Sequence, residues 1–406
     1  MPQSPVPYGR LAPGRGNRNE STRVHNLSTV LSWVHHEPGV TRAELTRVTG
    51  LNRSTIGALV TELGQHALVY EGAGAVVGVG RPSPTVNPNP RVVALSINPD
   101  VDGITVGAVG LGGRVISQAT RDLDAPPTVQ DMLDLLPELV DEALSHGQVD
   151  RLVGAGVTVP GLVRRADGLV VRAPHLDWRD APVAEDVARV LGLPTRVEND
   201  ATAALIAESI FGGARGYADV VYLNGSASGI GGGVLTAGSI MLGADGFASE
   251  LGHAMVAPKG ERCHCGRRGC LEQEVNLRLL RAAAGVRRFG PGGLERHLSA
   301  GDNAAFTSEV DRQVDLLALG IANLVTVFNP SLVLLGGFLG SLWWARQERM
   351  RATVTANAFA PMADALTLAQ VQLREDLLVV GGAELAFASV LSDPLGGGLL
   401  PAGSEA

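Results

Sequence analysis

The sequence predicts an α+β multidomain protein: a winged helix-turn-helix at the front and a two-lobed α/β body behind it. Three observations predict this. Three amphipathic segments separated by helix-start and glycine-turn signals occupy residues 24–63. Four prolines fall within residues 81–90, and from Val92 onward strand-like apolar runs alternate with helical stretches. At 406 residues the chain exceeds the usual size of a single core.

Residues 1–20, rich in Pro, Gly and Arg, read as a flexible basic arm. They lack the apolar core of a secretory signal, which makes the expected location cytoplasmic. Residues 21–80 form the expected winged helix-turn-helix. Val24, Leu27, Val30, Leu31 and Val34 recur at helical spacing, with Ser21 or Thr22 as cap. Thr41-Arg42-Ala43-Glu44 has the form of a capping box, in which hydroxyl and carboxylate satisfy free amides reciprocally. Gly50 provides a tight turn, and Asn52 or Ser54 caps a third helix carrying Ile56, Leu59, Val60 and Leu63. Leu68–Glu71 and Val76–Val79, separated by a glycine-rich turn, read as the two strands of a wing, and residues 81–90 as a Pro-rich linker that cannot be helix.

Charge separates front from back. Residues 1–90 carry eight arginines, no lysine and five acidic side chains, a net +3, whereas the remainder carries −11 of the total −8. A basic front is drawn to a phosphate backbone and an acidic body is repelled by it, so double-stranded DNA is the expected partner. Aromatic residues make up 4%, too few for stacking platforms on single strands. The third helix places Arg53, Ser54 and Thr55 at the end that faces base edges, with Asn52 before them and Arg42 and Arg81 flanking. No apolar run approaches the roughly 20 residues of a membrane span, so no membrane partner is expected.

In the body, VVALSIN, ITVGAVG and RVISQAT suggest a meander, followed by a helix at 128–145, a buried strand at 152–159 and a helix at 183–191. A second set starts at Val220 and includes a long helix near 308–328 leading to Leu332–Gly337. All three cysteines lie within eight residues, as Cys263-x-Cys265-x4-Cys270. An odd number of clustered thiols in a reducing compartment points to a metal, and Zn²⁺ closes a structural site with four N or S ligands. A histidine is the natural fourth, and His264 is the local candidate.

Several segments, taken in order, resemble the ROK family of bacterial repressors and sugar kinases, which share an actin/hexokinase-like fold. They are Val157–Val163 with its Pro-Gly turn, Ala173–Arg179, Val197-Glu198-Asn199-Asp200-Ala201, Gly229–Gly233, Glu250–His253 and Cys263–Glu272. The resemblance implies a ROK sugar-sensing domain over 91–395, with a lobe boundary near 200, C-terminal helices returning to the first lobe, and a flexible tail at 396–406. It implies sugar binding by Asn199, Asp200, Glu250, His253 and Glu272, and a structural Zn²⁺ on His253, Cys263, Cys265 and Cys270. In kinases of the family the counterpart of Asp200 deprotonates the attacking hydroxyl. Their Asp-x-Gly-x-Thr phosphate loop aligns here with Asn98-Pro99-Asp100-Val101-Asp102, and Ala227-Ser228-Gly229 replaces Gly-Thr-Gly. Two carboxylates facing phosphates would repel ATP, and Pro99 removes an amide donor. The expected function is therefore a non-enzymatic regulator, a homodimer or homotetramer released from a palindromic operator by a sugar or sugar phosphate. An ATP-dependent sugar kinase fused to a DNA-binding module is the alternative.

Overall fold

The computed structural model describes residues 18–72, 84–290, 292–301, 303–396 and 400–401. The front module opens with a helix over Arg18–His36, whose buried face is Leu27, Val30, Leu31 and Val34. Helices Arg42–Thr49 and Arg53–Gln65 follow. Thr41 starts the first of these as a full capping box: its hydroxyl accepts from the Glu44 amide at 3.2 Å while Glu44 accepts from the Thr41 amide at 2.9 Å. Gly50 ends that helix at φ +72°, a left-handed conformation that costs glycine nothing. Asn52 then caps the third helix by accepting from the Thr55 amide at 2.9 Å.

Here the structure corrects the sequence reading. Val69–Gly72 pairs antiparallel with Thr85–Pro88, which pairs on its other side with Val40–Thr41. The expected linker thus supplies the middle strand of a three-stranded sheet, and the expected partner Val76–Val79 lies, with Arg81, outside the described residues. Proline forbids helix but not this strand. The Asn89 amide bonds the Leu68 carbonyl, so Asn87 and Asn89 face Val69–Gly72 and Pro88 faces the opposite flank. Val40–Thr41 pairs only with Val86 and Thr85, so at Pro88 no ladder bond is lost.

Two large sheets build the body, with a smaller antiparallel one of Leu162–Arg164, Leu169–Ala173 and Trp178–Ala181. The first orders its strands as Thr195–Asn199, Arg151–Val159, Val92–Asp100, Gly103–Gly110 and Arg114–Asp122, with Leu400–Pro401 added beside Arg151–Val159. The second orders Ser239–Ile240, Ile230–Thr236, Val220–Gly225, Leu332–Gly336 and Thr367–Gln370. Helices Asp200–Phe211 and Leu377–Ser392 pack against each other, the first also on the second sheet and the second on the first sheet. Both are apolar on nearly every side, the pattern of a helix with no solvent face. Among the described residues no helix is long and apolar enough to cross a membrane.

The front module is fused to the first lobe by one continuous core. Leu27, Val30, Leu31 and Val34 share a cluster with Val109 and Leu111 of the first sheet and with Phe387 and Val390 of the C-terminal helix. At its centre His35, fully buried, accepts from the Gly112 amide through Nδ1 at 2.8 Å. Its proton therefore sits on Nε2, which donates to Glu384 at 3.0 and 3.1 Å. Phe211 meets the ring of His35 at 5.4 Å and that of His36 at 6.4 Å, edge to face, and Arg215 pairs with Glu37. Burial, with His35 and Arg215 nearby, pushes His36 down to about 3, so it is neutral. Helix Asp200–Phe211 therefore begins at the cleft and ends against the front module, about 18 Å away at the rise of an α-helix.

Candidate ligand cleft and metal centre

His253 ends a short turn, Leu251–His253, and the three thiols come from the loop that folds back onto it, closed by the Cys263 amide donating to the Arg267 carbonyl at 2.8 Å. One ligand atom each from His253, Cys263, Cys265 and Cys270 lies within 4.8 Å of all the others. Cys263 Sγ stands 3.5 Å from His253 Nδ1, and Cys265 Sγ 3.6 Å from Cys270 Sγ. Ligands on one tetrahedral Zn²⁺ would be roughly 3.6 Å apart for S and N and roughly 3.8 Å for two S. The donor set and its spacing thus fit a zinc ion. Burial and a hydrogen bond to Glu272 push the Cys263 thiol up, a tendency that a bound dication reverses by taking the thiolate.

A second set overlaps the first. Glu272 Oε1 lies 2.9 Å from Cys263 Sγ and 3.3 Å from the Nδ1 of both His253 and His264. The sulfur-rich set offers three soft thiolates and an imidazole, a donor set that suits zinc, and it leaves Glu272 outside the coordination set. His253 Nδ1 points at Cys263, so its Nε2 faces outward, 3.8 Å from Glu250.

Asp200 lies near Asp100 and Glu250. Asp200 opens the Asp200–Phe211 helix, and burial raises its carboxyl to about 7, against a counteracting bond from the Ala201 amide and with Asp100 and Glu250 adding to the rise. Asn199 is committed to its surroundings: it caps that helix through the Thr202 amide at 3.0 Å and donates to the Gly161 carbonyl at 3.1 Å. It ties the Pro160-Gly161 turn to the helix bearing Asp200. Gly229 has φ +141°, and a Cβ there would lie 2.8 Å from Glu272 Oε2. Only glycine admits both the turn and the carboxylate.

Asn98–Asp102 forms a tight antiparallel turn in which Asp100 pairs with Gly103. Asn98 is buried, donating to Ser96 at 3.1 Å and accepting from Thr158. Asp100 accepts from the adjacent Val101 amide at 2.7 Å, and Asp102 pairs at 2.8 Å with Arg288 of the second lobe. In the other loop Ser226 and Ser228 bond each other at 2.7 Å.

On the front module, Arg53 and Ser54 are exposed at the start of the third helix. Ser54 donates to Asn52 at 2.7 Å, and Asn52 and Thr55 serve the helix cap. Arg42 forks onto Glu71 at 2.7 and 3.0 Å, bracing the second helix against the wing strand. Arg53 makes no ion pair among the described residues. Sequence reasoning missed the joint formed by His35, Phe211 and Glu384, and it assigned no role to His175, whose ring stands 5.3 Å from that of His264. The joint left no local signal, since its members lie hundreds of positions apart.

Comparison with known proteins fits this geometry. Residues 95–388 match the model of the ROK family. A xylose repressor of Caldicellulosiruptor bescii is 26% identical over 93% of this chain and 99% of its own length. A glucokinase of Thermotoga maritima is 31% identical over 74% of this chain and 98% of its own. Among solved structures, a ROK family transcriptional regulator, a homologue of the E. coli MLC protein, superposes with a TM-score of 0.75 at 23% identity, covering 92% of this chain and 97% of that one.

Proposed function

Because this chain belongs to the ROK family, we propose that it is a sugar-responsive transcriptional repressor whose operator affinity is set by a sugar in the zinc-braced cleft. The observation that carries the reading is the reach of the front module into the match: the xylose repressor covers 93% of this chain, front included, where the glucokinase covers 74%. In this reading Asp200, Glu250, His253 and Glu272 present carboxylates and an imidazole to neighbouring hydroxyls, and Asn199 fixes the turn beside them. His253, Cys263, Cys265 and Cys270 hold Zn²⁺, which sets the tautomer of His253 and keeps Nε2 available to ligand. Arg53 reads base edges, Ser54 and Thr55 meet phosphate or base, Asn52 holds the helix start, and Arg42 and Arg81 contact the backbone.

Sugar closes the lobes, and the Asp200–Phe211 helix carries that movement to His35 and His36, respacing two front modules in a homodimer, or in each pair of a homotetramer. The operator is accordingly a palindrome. DNA selected from a random pool by the full-length protein, then footprinted, should show two-fold symmetric protection; an asymmetric single footprint would count against the reading.

The 31% identity to a glucokinase favours a second reading, a sugar kinase carrying a DNA-binding module. Against it, the Asn98–Asp102 turn offers two carboxylates and a proline where phosphates need amides. A coupled assay with ATP, Mg²⁺ and a hexose panel decides: turnover abolished in Asp200→Asn would establish the kinase.

A further inference from the structure

Two surfaces of the body carry opposite charge, and neither finds relief within its own chain. We infer that they pair between two copies: the cysteine loop of one protomer seats on helix Val129–Leu144 of the other, twice over around a two-fold axis. The inference rests on the dimeric-repressor reading and names its interface. Residues 259–268 hold Lys259, Arg262, Arg267 and Arg268 against Glu261 alone, a net +3 within a body of −11. All four cations are exposed, and none makes an ion pair among the described residues. Arg268 reaches only the Gly260 carbonyl, at 3.4 Å, and Arg267 lies beside the Cys265 sulfur. Arg262 and Arg268 stand opposite each other across an antiparallel bridge, where like charges repel. At the foot of the loop Met255, 49% exposed, pairs with Cys270 and offers an apolar contact beside the cations.

Helix Val129–Leu144 is the complement. It holds Asp131, Asp134, Glu138, Asp141 and Glu142 and no cation. Its buried face packs on the first sheet, and all five acids are exposed. Asp134, Glu138 and Glu142 recur every fourth residue, a stripe about 12 Å long at the rise of an α-helix. Like charges at that spacing also repel. Glu138 pairs with Arg121 at 2.5 Å and Asp131 caps the helix at Thr128, while Asp134, Asp141 and Glu142 make no ion pair among the described residues. Arginine forks suit such carboxylates. Each chain carries one loop and one stripe, so a two-fold dimer satisfies both and leaves neither over. A DNA duplex, charged along its whole length, would instead lie against the acidic remainder of the body. Each contact joins the second lobe of one copy to the first lobe of the other, and the front module is fused to that first lobe. Closure of one protomer thereby moves the front module of its partner.

The test is sedimentation equilibrium of the full-length, zinc-loaded protein. Arg262→Glu with Arg268→Glu, and separately Asp134→Arg with Glu142→Arg, should each weaken dimerisation about 100-fold, with zinc content and far-UV circular dichroism unchanged. Mixed in equal amounts, the two variants should recover a heterodimer near wild-type affinity, because both contacts then regain opposite charges. A dimer that neither pair of substitutions weakens, or weakened variants that fail to recover on mixing, overturns the interface; a symmetric footprint then leaves the repressor reading standing. Loss of binding to a non-operator duplex in the loop variant, with its dimer intact, overturns the inference in favour of DNA. Wild-type protein that stays monomeric and gives an asymmetric footprint overturns both.

Discussion

Two histidine–carboxylate sites, one at the joint and one in the cleft, show two opposite uses of the same chemistry. At the joint, His35 and Glu384 are 0% and 2% exposed, every polar atom of the ring is satisfied from within the fold, and apolar residues of three elements enclose them. In the cleft, Glu272 lies 3.3 Å from both His253 and His264 and Glu250 3.8 Å from His253, while His253, His264 and Glu250 stay partly open to solvent. The joint is finished by the chain alone. The cleft carries a cluster of His, Cys and carboxylate groups that could hold a metal ion, and in the proposed reading it is completed by that metal on one side and a polyhydroxylated ligand on the other.

The contrast can be tested from its strongest element downward. Removing the metal should have the largest effect. Stripping zinc with a chelator, or making Cys270→Ser, should abolish sugar binding and lower the melting temperature of the second lobe, because structural zinc contributes on the order of 10 kcal/mol to the fold that holds it. Metal analysis beside calorimetry checks this, and full sugar affinity in metal-free protein would break the account of the cleft. Next comes the joint. Glu384→Ala leaves the buried Nε2–H of His35 without an acceptor and should cost about 1–3 kcal/mol, read by denaturant unfolding, whereas Glu384→Gln should recover part of it. A loss below about 1 kcal/mol would mean that the joint is not a fixed element.

Much of this was legible beforehand, and the reasons are physical. Thr41 and Glu44 signal a helix start because the box is local, four consecutive residues closing two hydrogen bonds. The cysteine cluster was legible because ligands so close in sequence have few ways to be far apart in space. Thr85–Pro88 was misread because proline density speaks against helix and says nothing of a short strand whose one flank is empty at Pro88. The joint was illegible because the distance between His35 and Glu384 along the chain is spanned only by tertiary packing. Asn199, expected at the ligand, proves engaged by Thr202 and Gly161, a division of labour that no spacing rule could supply.

Smaller effects sharpen the comparison. Arg53→Ala should weaken operator binding by about 1–3 kcal/mol and leave sugar affinity unaltered, measured by fluorescence anisotropy and calorimetry. Asp200 gives the smallest. Its carboxyl titrates at about 7 in the fold against an ordinary 3.8, so the neutral form is the one the fold prefers. Stability from this group is complete below the ordinary value and is lost as pH rises through about 7. The melting temperature of the wild type relative to Asp200→Asn should therefore fall by a few degrees between pH 5.5 and 8.5. A pH-independent difference would place the carboxyl in water.

The most direct measurement is the anisotropy of a labelled operator duplex, bound by the full-length protein and titrated with the sugar found by calorimetry. The wild type should release the duplex as the cleft fills, while Phe211→Ala, altered where the cleft helix meets His35, should bind both sugar and DNA yet fail to release. Saturating sugar that leaves wild-type anisotropy unchanged would contradict the account at its centre.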